Sequence, residues 1–499
     1  MNDDSNKKPF IKKFKTDRCH YIYDVNSNQI VRVNKTEYDI INDVDENDIN
    51  DVIDKYKNKY SPFNIRKNLE SIWTAKKRYH IFSHRRPQIF FGIRSIADVK
   101  NALESNLLQI IIELTERCNL RCRYCVFSGR YKYARIHGSN DMSFDIAKKA
   151  VDYFLSRSRG NSNDIAAITF YGGEPLLKID LIKGIVDYVK KIGEFDNCRF
   201  SLTTNGTLLH KEIVDYFIKN KLSILVSLDG PKEIHDRYRV YQNGKGTFDI
   251  ILQNLLRIKE NHRDYFMNNI SIAATLAPPY DFIKLIDFFY KKYFFEQINE
   301  KVRLIGVDPY ETTFFDDFRI DDVKNIHVKL NGLFARYKKA LINGNYQKLT
   351  MEKELFDKEF HNIEYRIIKP LGDFCFPRGT CFPGRRRLFV NALGKYYMCE
   401  RVGSNYEIGD INEGFNYERI YDFIKKYEQF FSECKYCWAL RLCSKCFNSV
   451  RKGEGFDEER KKEYCSASLK TLERYLIASC EIKEKNAGAF KVLGNIIIR

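Results

Sequence analysis

The stretch LLQIIIELTERCNLRCRYC, residues 107 to 125, sets an unbroken apolar run directly before three closely spaced thiols, Cys118, Cys122 and Cys125. The run 107–114 reads as a strand, which places the thiols on the loop at its C-terminal end. Five more apolar runs follow: IAAITFY (165–171), CRFSLTT (198–204), LSILVSL (222–228), ISIAATL (270–276) and VRLIGV (302–307). Helical periodicities separate them. The helix after Ser143 is the clearest, with Ile146, Ala147, Ala150, Val151, Phe154 and Leu155 on one face and Gly160 as its expected end. Strand and helix alternating six times describe an α/β fold, a parallel sheet curling into a partial (β/α)6 TIM-like barrel. Such barrels gather their chemistry at the C-terminal ends of the strands, where the three thiols lie.

The chain has 499 residues and 44% hydrophobic content, enough for a large core and more than one domain. Its 84 Lys and Arg outnumber 66 Asp and Glu, a formal charge of +18. The excess runs through a composition rich in Lys and Asn, so it says little about an acidic partner. No apolar run has the length of a membrane span, and the start MNDDSNKKPF is too polar for a signal peptide, so a cytoplasmic protein without membrane contact is expected. In a reducing compartment, 14 cysteines point to metal ligation or chemistry rather than disulfides.

Residues 1–95 form a first division: YIYDVNSNQIVRV (21–33) alternates around an Asn26-Ser27-Asn28 turn, and Asn34 can cap a helix with Glu37 as its capping-box partner. With a second amphipathic stretch at 46–60, this makes an α+β module of winged-helix type. The barrel is expected over 96–310, a charged helical connector over 311–370, a loop-rich domain stapled by metal over 371–470, and a tail over 471–499. There is no internal repeat or low-complexity tract.

Three thiolates can hold three corners of a cubane iron-sulfur cluster and leave one iron open to a ligand. The spacing C-x3-C-x2-C, with Tyr124 before the last cysteine, resembles the radical SAM superfamily. That resemblance implies S-adenosylmethionine chelated at the open iron and cleaved to a 5′-deoxyadenosyl radical. Gly172-Gly173-Glu174-Pro175, after the second strand, resembles the family's GGE turn at the cofactor's methionyl ammonium. Thr204 and Asn205 end the third strand, and Ser227 and Asp229 end the fourth; both pairs resemble segments that line the cofactor pocket and reach the ribose hydroxyls. In HDRYR (235–239), Arg239 resembles an arginine that pairs with the cofactor carboxylate, a task suited to a guanidinium. Ala274 and Thr275 are expected to flank the adenine. Taken singly, the Asn-Gly and Asp-Gly-Pro segments are also ordinary turn formers, and Ala274 and Thr275 ordinary core.

The C-terminal cysteines run Cys375-x5-Cys381-x17-Cys399, then Cys434-x2-Cys437-x5-Cys443-x2-Cys446-x18-Cys465, with Gly394 ahead of Cys399. This series resembles a SPASM domain, the auxiliary-cluster domain of radical SAM enzymes that modify peptides and proteins. By the family's order, Cys375, Cys381, Cys399 and Cys446 hold one auxiliary cluster, and Cys434, Cys437, Cys443 and Cys465 the second, for three 4Fe-4S clusters in all. The family usually has three residues between the sixth and seventh cysteines of this series; here Ser444 and Lys445 are two, which bears on Cys446. Paired C-x2-C motifs are also a zinc pattern, and a basic zinc protein can bind nucleic acid. That alternative accounts for four cysteines and leaves the other four and the barrel loop unexplained, which argues against a nucleic-acid partner. No HExxH, P-loop or Rossmann glycine motif is present. Cys19, Cys198 and Cys480 fall outside both patterns and read as small buried residues.

Glu400 follows Cys399 directly. Sulfatase-maturing members carry an acidic residue next to the matching cysteine, which implies a base here, although a salt bridge to Arg401 is an equal expectation. The 1–95 module resembles an element that grips a precursor's leader as an added strand, while a hairpin with helices also reads as a structural cap on the barrel. Together these imply a maturase of a ribosomally made peptide that forms a thioether or carbon–carbon crosslink, reduced by a flavodoxin or ferredoxin. The alternative within the family is an anaerobic, formylglycine-forming sulfatase maturase.

Overall fold

The structure is a computed structural model that describes residues 8–44, 49–132, 134–158, 166–291, 301–309, 311–377 and 379–494. Gly160 and the start of the 46–60 stretch lie outside the described residues. The chain opens on a three-stranded antiparallel sheet, β1 (Ile11–Lys15), β2 (His20–Asp24) and β3 (Gln29–Val33), one strand more than the sequence pattern suggests. Its first strand, IKKFK, is too charged to alternate cleanly. Three helices follow: α1 (Lys35–Ile40), α2 (Ile49–Tyr56) and α3 (Pro62–Tyr79). At α1 the Asn34 side chain accepts from the Glu37 amide and the Glu37 carboxylate accepts from the Asn34 amide, each at 3.0 Å. The module has a core of its own, built on Ile22, Ile40, Ile41, Val52, Ile65, Leu69 and Ile72.

After β4 (Gln88–Ile89) come the six barrel strands: β5 (Gln109–Glu113), β6 (Ala166–Tyr171), β7 (Cys198–Thr204), β8 (Ser223–Ser227), β9 (Ile270–Leu276) and β10 (Val302–Gly306). All pair in parallel in chain order, so the partial barrel expected from the apolar runs is present. β11 (Phe374–Cys375) pairs with β4. The sheet does not stop at β5. β12 (Arg387–Val390) lies parallel beside it, and β13 (Lys395–Tyr397), β14 (Glu407–Asp410) and β15 (Gly414–Phe415) continue antiparallel, giving ten strands. Leu388, Phe389 and Val390 are fully buried, which is why this segment joins the sheet. The region read as a separate metal-stapled domain is therefore bonded to the first barrel strand. One helix, Glu458–Lys485, capped by Asp457, runs through the division placed between 470 and 471. Helices Ile320–Ile342 and Met351–Glu364 pack on it through Phe334, Phe360 and Tyr475.

The N-terminal module docks on the C-terminal cysteine region through Arg441, a residue 8% exposed. Its Nη1 donates to the carbonyls of Val25 (3.3 Å), Asn26 (3.1 Å) and Lys369 (2.8 Å), and its Nη2 to Ile367 (3.4 Å). Trp438 meets Tyr23 edge-on at 6.4 Å, and Lys12 lies 5.4 Å from the Trp438 ring. A buried guanidinium must find acceptors, and the module's β2–β3 turn supplies two of them. Arg441→Met is expected to cost about 3 kcal/mol and to speed trypsin cleavage at Arg85 and Arg94. Unchanged cleavage would show that the module is held by other contacts.

Candidate active site

The loop after β5 carries Cys118, Cys122 and Cys125. Burial pushes Cys118 up to about 11 and Cys122 to about 12, and raises Cys125 as well. The three sulfurs stand close enough that a charge on Cys125 or Cys118 raises Cys122 further. Opposing this, Cys118 Sγ accepts from the Leu120 amide at 3.4 Å and Cys125 Sγ from the Phe127 amide. Such bonds favour the thiolate, the ligating form.

The turn after β6 explains its own glycines. A Cβ on Gly172, whose φ is 139°, would lie 2.4 Å from the Thr115 carbonyl oxygen, and one on Gly173 would lie 2.1 Å from that of Arg117. The turn is thus pressed against the root of the cysteine loop. The Glu174 carboxylate, fully buried, accepts from the Leu176 amide (3.0 Å), the Thr204 hydroxyl (2.7 Å) and the Asn205 amide (2.8 Å). Asn205 in turn donates to Asn119 inside the cysteine loop at 2.8 Å. Glu174 therefore ties the ends of β6 and β7 to the loop. Burial raises its pKa to about 6 against the lowering pull of those bonds.

Asp229, beyond β8, is spent inside the protein. Its Oδ1 accepts from the Thr275 amide (2.9 Å) and Arg239 Nε (3.1 Å), and its Oδ2 from the Tyr124 hydroxyl. Arg239 turns Nη1 to 3.8 Å from Cys122 Sγ, with its guanidinium 5.5 Å from the Tyr124 ring. Ser227 ends β8 close by and is buried, and Ala274 is fully buried core. His235 carries no signal of its own in the sequence, although it opens the HDRYR segment quoted for its arginine. Burial lowers its pKa to about 4, so it is neutral, and its Nδ1 accepts from the Asp229 amide at 3.2 Å. Its Nε2 stands 3.0 Å from the Thr247 hydroxyl, which donates to the Arg239 carbonyl at 3.0 Å.

The C-terminal thiols fall into two interacting groups. Burial pushes Cys434 up to about 12 and Cys437 to about 11 and also raises Cys443 and Cys465; Cys437, Cys443 and Cys465 raise Cys434 further, and Cys443 raises Cys437 and Cys465. Cys399, pushed to about 12, interacts with Cys446, and Cys446 with Cys381. The amides of Arg401, Ala439, Lys445 and Asn448 donate to Cys399, Cys437, Cys443 and Cys446, repeating the pattern of the barrel loop. Cys375, on β11, has its sulfur 3.7 Å from the Phe376 carbonyl. Cys198 and Cys480 stand apart, buried beside carboxylates. Among the described residues no three His, Cys, Asp or Glu side chains converge on a single ion site. Thiols with amide donors aimed at sulfur are a donor set that iron–sulfur clusters take.

The Glu400 carboxylate lies at the barrel mouth. Tyr171, which ends β6, is raised first by burial, next by Glu400 and then by Cys125. Glu400 Oε1 is 3.7 Å from Arg401 and Oε2 is 3.6 Å from Arg387, and Oε2 is buried without a hydrogen bond.

The Glu174 network yields a pH-dependent expectation. Its folded value of about 6 stands above the ordinary 4.5, so between those values the native chain holds a proton that the unfolded chain does not. The stabilisation is complete below the lower value and lost as pH rises through the upper one. The unfolding free energy of the wild type relative to Glu174→Gln should therefore fall by about 2 kcal/mol across the window, read by urea denaturation. A flat difference would mean the carboxyl titrates normally.

A family model described as the radical SAM superfamily matches residues 112–275. A cysteine-type anaerobic sulfatase-maturating enzyme of Clostridium novyi is 27% identical over 354 residues, 68% of this chain and 87% of that protein. The radical SAM cyclopropyl synthase TigE of Paramaledivibacter caminithermalis is 23% identical over 460 residues, 89% of this chain and 85% of that one. Among solved structures, native anSMEcpe with bound AdoMet shares the fold at a TM-score of 0.53 and 21% identity, covering 78% of this chain and 100% of that chain. With its partial barrel, three-thiol loop and glycine turn, the chain belongs to the radical SAM superfamily.

Proposed function

We propose that this protein is a maturase of a ribosomally made peptide that forms an intrapeptide crosslink, thioether or carbon–carbon, with three 4Fe-4S clusters. Superfamily membership implies one such cluster and S-adenosylmethionine; Cys118, Cys122 and Cys125 would hold the cluster. Two further clusters would be held by Cys375, Cys381, Cys399 and Cys446, and by Cys434, Cys437, Cys443 and Cys465. When bound, cluster and cofactor supply a 5′-deoxyadenosyl radical able to take a hydrogen atom from a substrate carbon. Gly172 and Gly173 let the turn that would meet the cofactor press against the cysteine loop, Arg239 presents its Nη1 beside Cys122, and Tyr124 with Asp229 fixes that guanidinium. Thr204, Asn205, Ser227 and Thr275 line the same strand ends; Glu400 would accept the proton of the substrate group that closes the bond, and the one remaining electron would pass to the auxiliary clusters.

The observation that carries the peptide reading is the N-terminal module, where β3 is a sheet edge with no strand beyond it among the described residues. An extended leader can add there as a further strand. At the β2–β3 turn, a cleft of about 870 Å³ that Asn26 helps to line includes the apolar Trp73, Ile81 and Leu371 and the basic Lys76, Lys77 and Arg85, features suited to an acidic leader with an apolar anchor. A small acidic electron carrier such as a flavodoxin or ferredoxin would supply the reducing equivalent. The sulfatase-maturase reading is the alternative, supported by the Clostridium novyi relative.

Anaerobic reconstitution should give about twelve irons per chain, falling to about eight, with 5′-deoxyadenosine abolished, when Cys118, Cys122 and Cys125 are all replaced by alanine. Incubated with a short peptide encoded beside the gene, the wild type should remove two hydrogens and leave no carbonyl that a hydrazide traps. A trappable aldehyde on a sulfatase peptide would favour the alternative, and continued 5′-deoxyadenosine formation by the alanine variant would end both readings.

A further inference from the structure

Arg135 lies past the cysteine loop, with its side chain only 11% exposed and no part in the motifs above. Its Nη1 pairs with Glu113 Oε1 on β5 at 2.8 Å, and its Nη2 donates to the backbone carbonyl of Glu400 at 2.9 Å. The guanidinium carbon stands 4.2 Å from the centre of the Phe389 ring on β12 and 5.0 Å from that of Phe127 on the cysteine loop. The other Glu113 oxygen accepts from the Ala392 amide at 3.3 Å. One buried ion pair thus touches the first barrel strand, the cysteine loop, the strand β12 and its following turn, and the segment carrying Cys399 and Glu400.

We infer that Arg135 is a positioning residue: it fixes the Glu400 segment over the barrel mouth, so that the auxiliary region and the cysteine loop keep one relative placement. A buried ion pair adds little net stability compared with a well-packed apolar pair, because desolvation offsets the attraction. What it does supply is direction. The planar fork of arginine can bond a carboxylate with one nitrogen and a carbonyl with the other while its faces lie on aromatic rings, and the point charge of lysine cannot. Releasing the Glu400 carbonyl would free the carboxylate beside Tyr171 to move, and small misplacement at a reacting centre costs rate steeply.

This inference rests on the reading in which Glu400 faces the substrate, and the test separates the two. The variants are Arg135→Lys and the double replacement Glu113→Gln with Arg135→Met, which leaves no unpaired charge if the single variant fails to fold. In reconstituted enzyme, both should keep the wild-type iron content. Amide hydrogen exchange over residues 396–402 should speed up at least tenfold while β5 and β6 stay protected. Peptides modified per 5′-deoxyadenosine formed should fall at least tenfold, with 5′-deoxyadenosine itself retained. Unchanged exchange over 396–402 in the double variant overturns the positioning role. A wild type that forms 5′-deoxyadenosine but leaves the peptide encoded beside the gene unmodified overturns the peptide reading, while the exchange comparison still decides the role of Arg135.

Discussion

A buried thiol resists ionisation, and a thiol can ligate iron only as the anion. Burial pushes Cys122, Cys399 and Cys434 each up to about 12, and neighbouring sulfurs add to the penalty. Amide groups aimed at sulfur oppose it at Cys118, Cys125, Cys399, Cys437, Cys443 and Cys446. An amide can be aimed this way only if the loop has a fixed conformation, so much of the architecture can be understood as holding these loops still. Glu174 does this for the barrel loop from below, through Asn205 and Asn119, and the backbone of residues 238–240 from the side, where Tyr238 and Val240 accept from Arg123 and Arg121.

The same demand explains why the sheet runs on into the C-terminal region. A separate domain on a flexible linker would leave the distance between Cys125 and Cys399 to chance. Pairing β12 with β5 fixes it at the backbone level, and the Glu113–Arg135 pair fixes it again at the side-chain level. These constraints are complementary: the ladder sets register and direction, and the ion pair sets the placement of the Glu400 backbone.

The six barrel strands, the cysteine loop and the glycine turn were legible because each is local: an apolar run, a spacing, a turn whose glycines have no room for a Cβ. β1 was not, because a strand of IKKFK composition takes its identity from its partner β2 rather than from its own pattern. The union of the two sheets was hidden for a related reason. RLFV at 387–390 is an ordinary short apolar run, and nothing in it names β5, 278 residues earlier at the Arg387–Gln109 contact, as the neighbour. Asp229 shows the opposite case. The motif singles out Asp229, but the partners that occupy its carboxylate come from Tyr124, Arg239 and Thr275, three separate places in the chain. His235 escapes notice because a buried neutral histidine bonded to a backbone amide leaves no periodic trace.

Docking of the N-terminal module follows from the chemistry of its acceptors. Arg441 donates to four backbone carbonyls, two in the module's turn and two in the segment just before the cysteine region. Carbonyls carry no net charge, so these bonds satisfy the buried donors without the fixed geometry of a fork against a carboxylate, and nearby Asp24 adds the attraction of its field. Such a contact depends on backbone path rather than on side-chain identity in the module. It holds the β2–β3 turn, and with it the β3 edge, against the loop between Cys437 and Cys443. A strand added at that edge would therefore bind to a surface already fixed relative to the auxiliary thiols.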